Sequence, residues 1–323
     1  MRNEAMNTRS MAVATLSAIG VAVLLSLGGS VQPAKAEAVR AEQDAELIKE
    51  LETYRKRRAQ GLAAPDGWTS IIGMHWLEPG RYTIGSAKGN DVLLAIGPAR
   101  IGVVEEKDGQ AVFTPEPDVS LTVEGAPLTA PVELQLYSRG KPATTVAYDG
   151  GKGLVTVIVS GKRRALRVRH SDAPARLNFA GLDFWPFDAS WRVKGRFVPH
   201  QPARVVEVLD VLGGLNDQAN PGVVVFERDG KRFQLEVIGD SSRGLSLMFA
   251  DRTNGKGSYP AGRFLFTELP DANGEVLIDF NRAYTPPCAF TEFGTCLLPP
   301  PENRLDLAIT AGEKTYSKGS ALL

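Results

Sequence analysis

The chain has 323 residues, with 37 basic and 37 acidic side chains, and this balance excludes the overall basicity of a nucleic-acid-binding protein. Two cysteines are too few for a disulfide-framework domain, while 33 glycines and 21 prolines suit many tight turns between short strands. The length admits one large domain or two ordinary ones.

Residues 1–36 read as a secretory signal peptide. Arg2 and Arg9 precede the apolar run "MAVATLSAIGVAVLLSLGG", and Ala34-Lys35-Ala36 supplies the small-x-small cleavage pattern. The expected product starts near Glu37, is periplasmic or secreted, and keeps no stable membrane span after cleavage. An uncleaved anchor is the alternative.

Residues 37–67 read as a helix and linker. In "AEAVRAEQDAELIKELETYRKRRAQG", Leu47, Ile48, Leu51 and Tyr54 recur at helical spacing, Glu52 and Lys56 pair at i,i+4, and Gly61 marks the stop. The charged remainder is expected to be a solvated face. After Trp68 the period changes to two. "RYTIG", "ARIGVVEE", "VSLTVEG", "GLVTVIVSG", "RRALRVRH", "WRVKGRFV", "GVVVFERDG", "LSLMFAD" and "EVLIDF" are short strands, with turn signals about every 8–12 residues. The fold expected is mainly β, with an N-terminal helix followed by a β-sandwich at 68–145 and a second β-domain or extended β-core at 146–323.

Four stretches, "GWTSIIGMHWLEPGRYTIGSAKGNDVLL", "RVRHSDAPARLNFAGLDFWP", "DRTNGKGSYPAGRFL" and "DFNRAYTPPCAFTEFGTCLLPPPENRLDLAITAGEK", together resemble the DUF1684 family. Thr285 stands where that pattern carries Asn. The family name implies no activity. Within the same chain, "RYTIGSAKGNDVLL" followed by "VSLTVEG" resembles a forkhead-associated (FHA) β-sandwich. Ser86 replaces that family's Arg after Gly, and Glu124-Gly125 replaces its Asn-Gly pair, so the resemblance implies the fold without phosphothreonine binding.

Candidate site residues gather in loops. Asp251, Tyr259 and Arg263 lie in one, and Asn281, Arg282 and Tyr284 follow the strand "EVLIDF". If both loops share one end, two guanidinium forks make a pocket for a small anionic ligand. Alternatively, Asp251 pairs with an arginine to tie loops together and Asn281 caps a turn. Cys288 and Cys296 are expected to form a disulfide in an oxidising compartment. A nucleophilic Cys288 with His75 as base is the catalytic alternative, its pocket completed by Asn281, Arg282 and Tyr284. Metal-ligand spacing is lacking, so no metal is expected, and no nucleotide-cofactor motif occurs. Arg167 and Arg169 on one strand, with Arg192, Lys194 and Arg196 on another, make a basic patch only if the strands are neighbours. Neither the reaction, if any, nor the oligomeric state is legible. The leading expectation is ligand binding or a structural role, with a hydrolase-type enzyme second.

Overall fold

The computed structural model describes residues 33–138 and 141–317. The signal peptide expected at residues 1–36 lies, up to residue 32, outside the described residues. A helix spans Pro33–Leu62, and no described helix is long and apolar enough to cross a membrane.

The remainder is mainly β. A six-stranded sheet runs in the order Ile71–Leu77, Arg163–His170, Gly153–Ser160, Thr145–Tyr148, Thr122–Val123, Ala126–Pro127. A five-stranded sheet holds Val92–Leu93, Gly80–Gly85, Gly102–Lys107, Gln110–Pro115 and Val132–Glu133. Alternation turns one face of each inward, so Leu77, Val155, Val157, Leu166 and Val168 of the first meet Ile84, Val104 and Phe113 of the second in one buried core. The strands between 145 and 170, expected in the second β-region, therefore belong to the first. Their register, with His75 opposite Leu166 and Val157 opposite Leu166 from the other side, is a long-range pairing that the local pattern cannot specify.

A second core forms around a four-stranded sheet, ordered Lys231–Glu236, Leu215–Arg228, Arg192–Leu209, Glu275–Asp279, with the pair Leu245–Phe249 and Arg263–Thr267. Val224, Phe226, Leu235, Leu247, Phe249, Leu265, Ile278 and Phe280 are buried there. Phe280 stands edge-on to Trp191 and Phe249, at centroid distances of 5.9 and 5.5 Å, an arrangement that aromatic quadrupoles favour.

The helix buries most of its expected face, Leu47, Leu51 and Tyr54, and widens it. Ile48 is 37% exposed, whereas Leu51 and Leu62 are buried and Tyr54, Arg55 and Arg58 between them are half-buried. The inward stripe thus includes two arginines expected to be solvated. Their stems pack and their heads find partners: Arg55 lies over Phe184 at 4.3 Å and donates to the Trp185 carbonyl at 3.1 Å.

Candidate functional site

The loops that carry the candidate residues are held from within. Arg263 and Asp251 are both fully buried as side chains and meet at 2.7 Å. Arg263 also donates to the Ile309 carbonyl at 2.8 Å and to the Ala311 carbonyl. Asp251 accepts from the backbone N–H groups of Thr253 at 2.8 Å and Ile309 at 3.3 Å. Burial pulls Arg263 below the ordinary guanidinium range, and Asp251 opposes that shift. With these donors and acceptors engaged, the pair ties three chain segments together.

Asn281 is equally committed. Its Oδ1 accepts from the Asp188 N–H at 3.1 Å, and its Nδ2 donates to the Asp188 carbonyl and to Asp279 Oδ1, each at 3.0 Å. Tyr259 is half-buried, and burial raises its phenol above the usual range. Tyr284 pairs its backbone with Phe264 at 2.8 Å in both directions, and burial raises its phenol too.

Two partners of this region went unread in the sequence. Glu313 is fully buried; its carboxylate accepts from Arg58 Nε at 2.9 Å and from the Thr285 N–H at 2.8 Å. Arg58 donates as well to the Thr285 carbonyl at 2.7 Å and lies 4.8 Å from the Tyr284 ring centroid. Gly312 precedes Glu313 at φ +81°, where a Cβ would stand 2.5 Å from the Ala283 carbonyl oxygen. Only glycine allows that approach. Helical spacing marks Arg58 as four residues before Leu62, but nothing local announces a buried carboxylate 255 residues away.

Cys288 and Cys296 form a disulfide with Cα atoms 6.1 Å apart, so neither sulfur is a free nucleophile. Gly294 makes room for it, since a Cβ there would lie 2.5 Å from Cys288 Sγ. Replacing both cysteines by Ser should remove about 2–3 kcal/mol for a loop this short, lowering the unfolding midpoint at roughly 2–4 °C per kcal/mol. Thiol counting on unreduced, denatured protein checks the bond: zero free thiols are expected, and two would contradict it.

His75 lies elsewhere. It is half-buried on Ile71–Leu77 in the six-stranded sheet, and burial lowers its pKa from the usual histidine range. Asn281, Arg282 and Tyr284 follow the Glu275–Asp279 strand of another sheet. With Cys288 bonded, the nucleophile–base arrangement is not assembled. The basic strands are not neighbours either: Arg163–His170 pairs with Ile71–Leu77 and Gly153–Ser160, while Arg192–Leu209 pairs with Leu215–Arg228 and Glu275–Asp279. Arg167 is in fact buried, its guanidinium pulled down to about 10 by desolvation and then by Arg169. His170 is fully buried and faces Asp149 Oδ2 at 3.1 Å.

Of the charged candidates in these loops, Arg282 opens onto a surface cleft. Its side chain is 40% exposed and stands 3.4 Å from Glu50 and 3.8 Å from Asp279. The cleft, about 370 Å³, is lined by Arg282 together with Glu46, Lys49, Glu50, Thr53, Tyr54 and Arg57 of the helix. Tyr54 fixes its floor by donating to the Arg282 carbonyl at 3.0 Å. Among the described residues no group of three or more His, Cys, Asp or Glu is placed to hold a metal ion.

A family model described as "Protein of unknown function (DUF1684)" matches residues 177–314. Among solved structures, the solution NMR structure of an uncharacterized protein of Haloarcula marismortui shares 34% sequence identity, covering 43% of this chain and 79% of that chain, with a TM-score of 0.37. Comparison with curated proteins gives no match. The matched family span includes Asp251, Arg263, Asn281, Arg282 and Glu313 and leaves His75 outside.

Proposed function

Because the chain belongs to the DUF1684 family, whose description carries no activity, we propose from its geometry that it is an exported β-protein that binds a small anionic ligand without catalysis. Export rests on the leader read at residues 1–36. The carrying observation is the Arg282 cleft: Lys49, Arg57 and Arg282 face Glu46 and Glu50, three cations against two carboxylates. Two of the ion pairs already present are exposed and loose, Lys49–Glu46 at 3.6 Å and Arg282–Glu50 at 3.4 Å, and Arg282 keeps only a longer contact of 3.8 Å with the less exposed Asp279. Such pairs are each worth about 0–1 kcal/mol, so an incoming carboxylate or phosphate can displace them. Arg282 then offers its planar fork.

The test is calorimetric titration of the full mature chain with citrate at low ionic strength, where exposed charges are least screened. Saturable binding is expected, weakened about tenfold in Arg282→Ala by loss of a charge-assisted hydrogen bond. Equal affinities in wild type and variant, or no saturable binding, would remove the proposal.

A further inference from the structure

We propose a second, separate site: the outer face of the six-stranded sheet binds a small tetrahedral oxyanion of the phosphate type between Arg167 and Arg169. The two arginines lie two residues apart on Arg163–His170, so both side chains leave the same face, about 6.6 Å apart along the strand. Thr156 and Met74 flank Arg167 from the neighbouring strands, and Leu154 flanks Arg169. Leu166 and Val168 alternate with the arginines and point the other way, into the first core.

Arg167 is 9% exposed, and among the described residues it makes no hydrogen bond and no ion pair. Other largely buried guanidinium groups of this fold are settled differently. Arg263 meets Asp251 at 2.7 Å, Arg58 meets Glu313 at 2.9 Å, and Arg164, on the opposite face of the same strand, meets Glu106 at 3.3 Å. Arg167 has instead the Trp68 ring, with Cζ 5.1 Å from the centroid. A ring face attracts a cation but leaves its N–H groups without oxygen acceptors. Of the three guanidinium nitrogens only Nε is sealed from the surface, so the two Nη groups are both accessible and unpartnered. Their donors open toward an anion that reaches this face.

Arg169 is half-buried, and it too lacks a hydrogen bond or ion pair among the described residues. The exposed Asp66 acts on it from beyond ion-pair distance. Two cations thus face one carboxylate. Desolvation, followed by repulsion from Arg169, pulls Arg167 down to about 10, which leaves it protonated at neutral pH. A buried charge with a like charge beside it is unfavourable for the fold alone. A bound dianion supplies the missing opposite charge and the missing acceptors together.

The spacing sets the class of anion. One planar fork suffices for both oxygens of a carboxylate. Two forks about 6.6 Å apart suit a tetrahedral ion, whose oxygens point toward both. The Thr156 hydroxyl, directly across the ladder from Arg167 and without a hydrogen-bond partner among the described residues, adds a third donor. Because Arg167 is so little exposed, the site suits a small free ion better than a phosphate carried on a bilayer surface.

The test uses the full chain carrying Arg282→Ala, so that the cleft's arginine does not contribute, at mildly alkaline pH, where phosphate is doubly charged. Calorimetric titration with inorganic phosphate is expected to saturate, about tenfold tighter than titration with acetate. Adding Arg167→Met should weaken phosphate about tenfold, while the thermal midpoint without phosphate stays at or above that of the parent, because an unpaired buried charge has become an apolar side chain. Phosphate should raise the midpoint of the parent and leave that of Arg167→Met unmoved. Arg169→Gln, at a partly exposed position, should fold normally and bring phosphate down to the affinity of acetate. No saturable phosphate binding, equal affinities for phosphate and acetate in the parent, undiminished phosphate binding in Arg167→Met or Arg169→Gln, or binding to phosphatidic acid vesicles without binding of free phosphate would each overturn the proposal.

Discussion

Replacing Arg263 by Met is expected to cost about 3–5 kcal/mol of folding stability. The guanidinium and the Asp251 carboxylate are both fully buried and meet at 2.7 Å. Met fills most of the stem's volume but leaves Asp251 charged, dry and short of its partner, along with the Ile309 and Ala311 carbonyls that Arg263 serves. The cost is that of an orphaned charge and unsatisfied carbonyls, which exceeds the net worth of the intact pair. Removing both charges in Asp251→Asn with Arg263→Met should therefore lose less than the sum of the single losses, as expected for directly coupled residues. Urea unfolding of the four proteins checks this. A single-variant loss below about 1 kcal/mol, or strict additivity, would mean that the pair does not tie the loops and would return Arg263 to the list of binding candidates.

Arg58→Met is the second large effect, about 3 kcal/mol or more. It removes the only arginine among the described residues that meets the buried Glu313 within ion-pair distance, at 2.9 Å, and it also loses the bond to the Thr285 carbonyl. Because Arg58 lies on the helix, the loss should concentrate there. Amide hydrogen exchange over residues 44–62 is expected to quicken more than exchange in the six-stranded sheet. Arg58→Lys should fall between the two, since an ammonium keeps the charge but not the fork that spans Glu313 and Thr285. Uniform quickening across the chain would contradict a local tether, and unchanged stability would show that Glu313 is satisfied without Arg58.

How much of this was legible follows from range. The strands could be read because alternation is local: "RRALRVRH" and "WRVKGRFV" are both strands in the structure. Their partners could not, because Ile71–Leu77 pairs with Arg163–His170 across some ninety residues of chain and nothing in either segment encodes that choice. The pairing is what carries residues 145–170 into the first core and keeps the two basic strands apart. The helix was legible with most of its buried face, though not the arginines that share it. Helical periodicity registers apolar residues, whereas the surface the helix meets presents carbonyls, aromatic rings and a carboxylate that suit Tyr54, Arg55 and Arg58. For Asp251, Arg263 and Asn281, composition indicated a polar cluster and left open whether its groups faced a ligand or one another. Burial decided that, and burial is a property of the assembled core.

The central claim is that the polar residues of the family motif hold the fold while Arg282 at their edge meets the ligand. The measurement that addresses it most directly is Arg282→Ala, followed by both urea unfolding and citrate titration. The account predicts stability within about 1 kcal/mol of wild type, since the Arg282 side chain is 40% exposed and its ion pairs are loose, together with an affinity about tenfold weaker. A variant that loses several kcal/mol of stability, or one that binds citrate as wild type does, would contradict it.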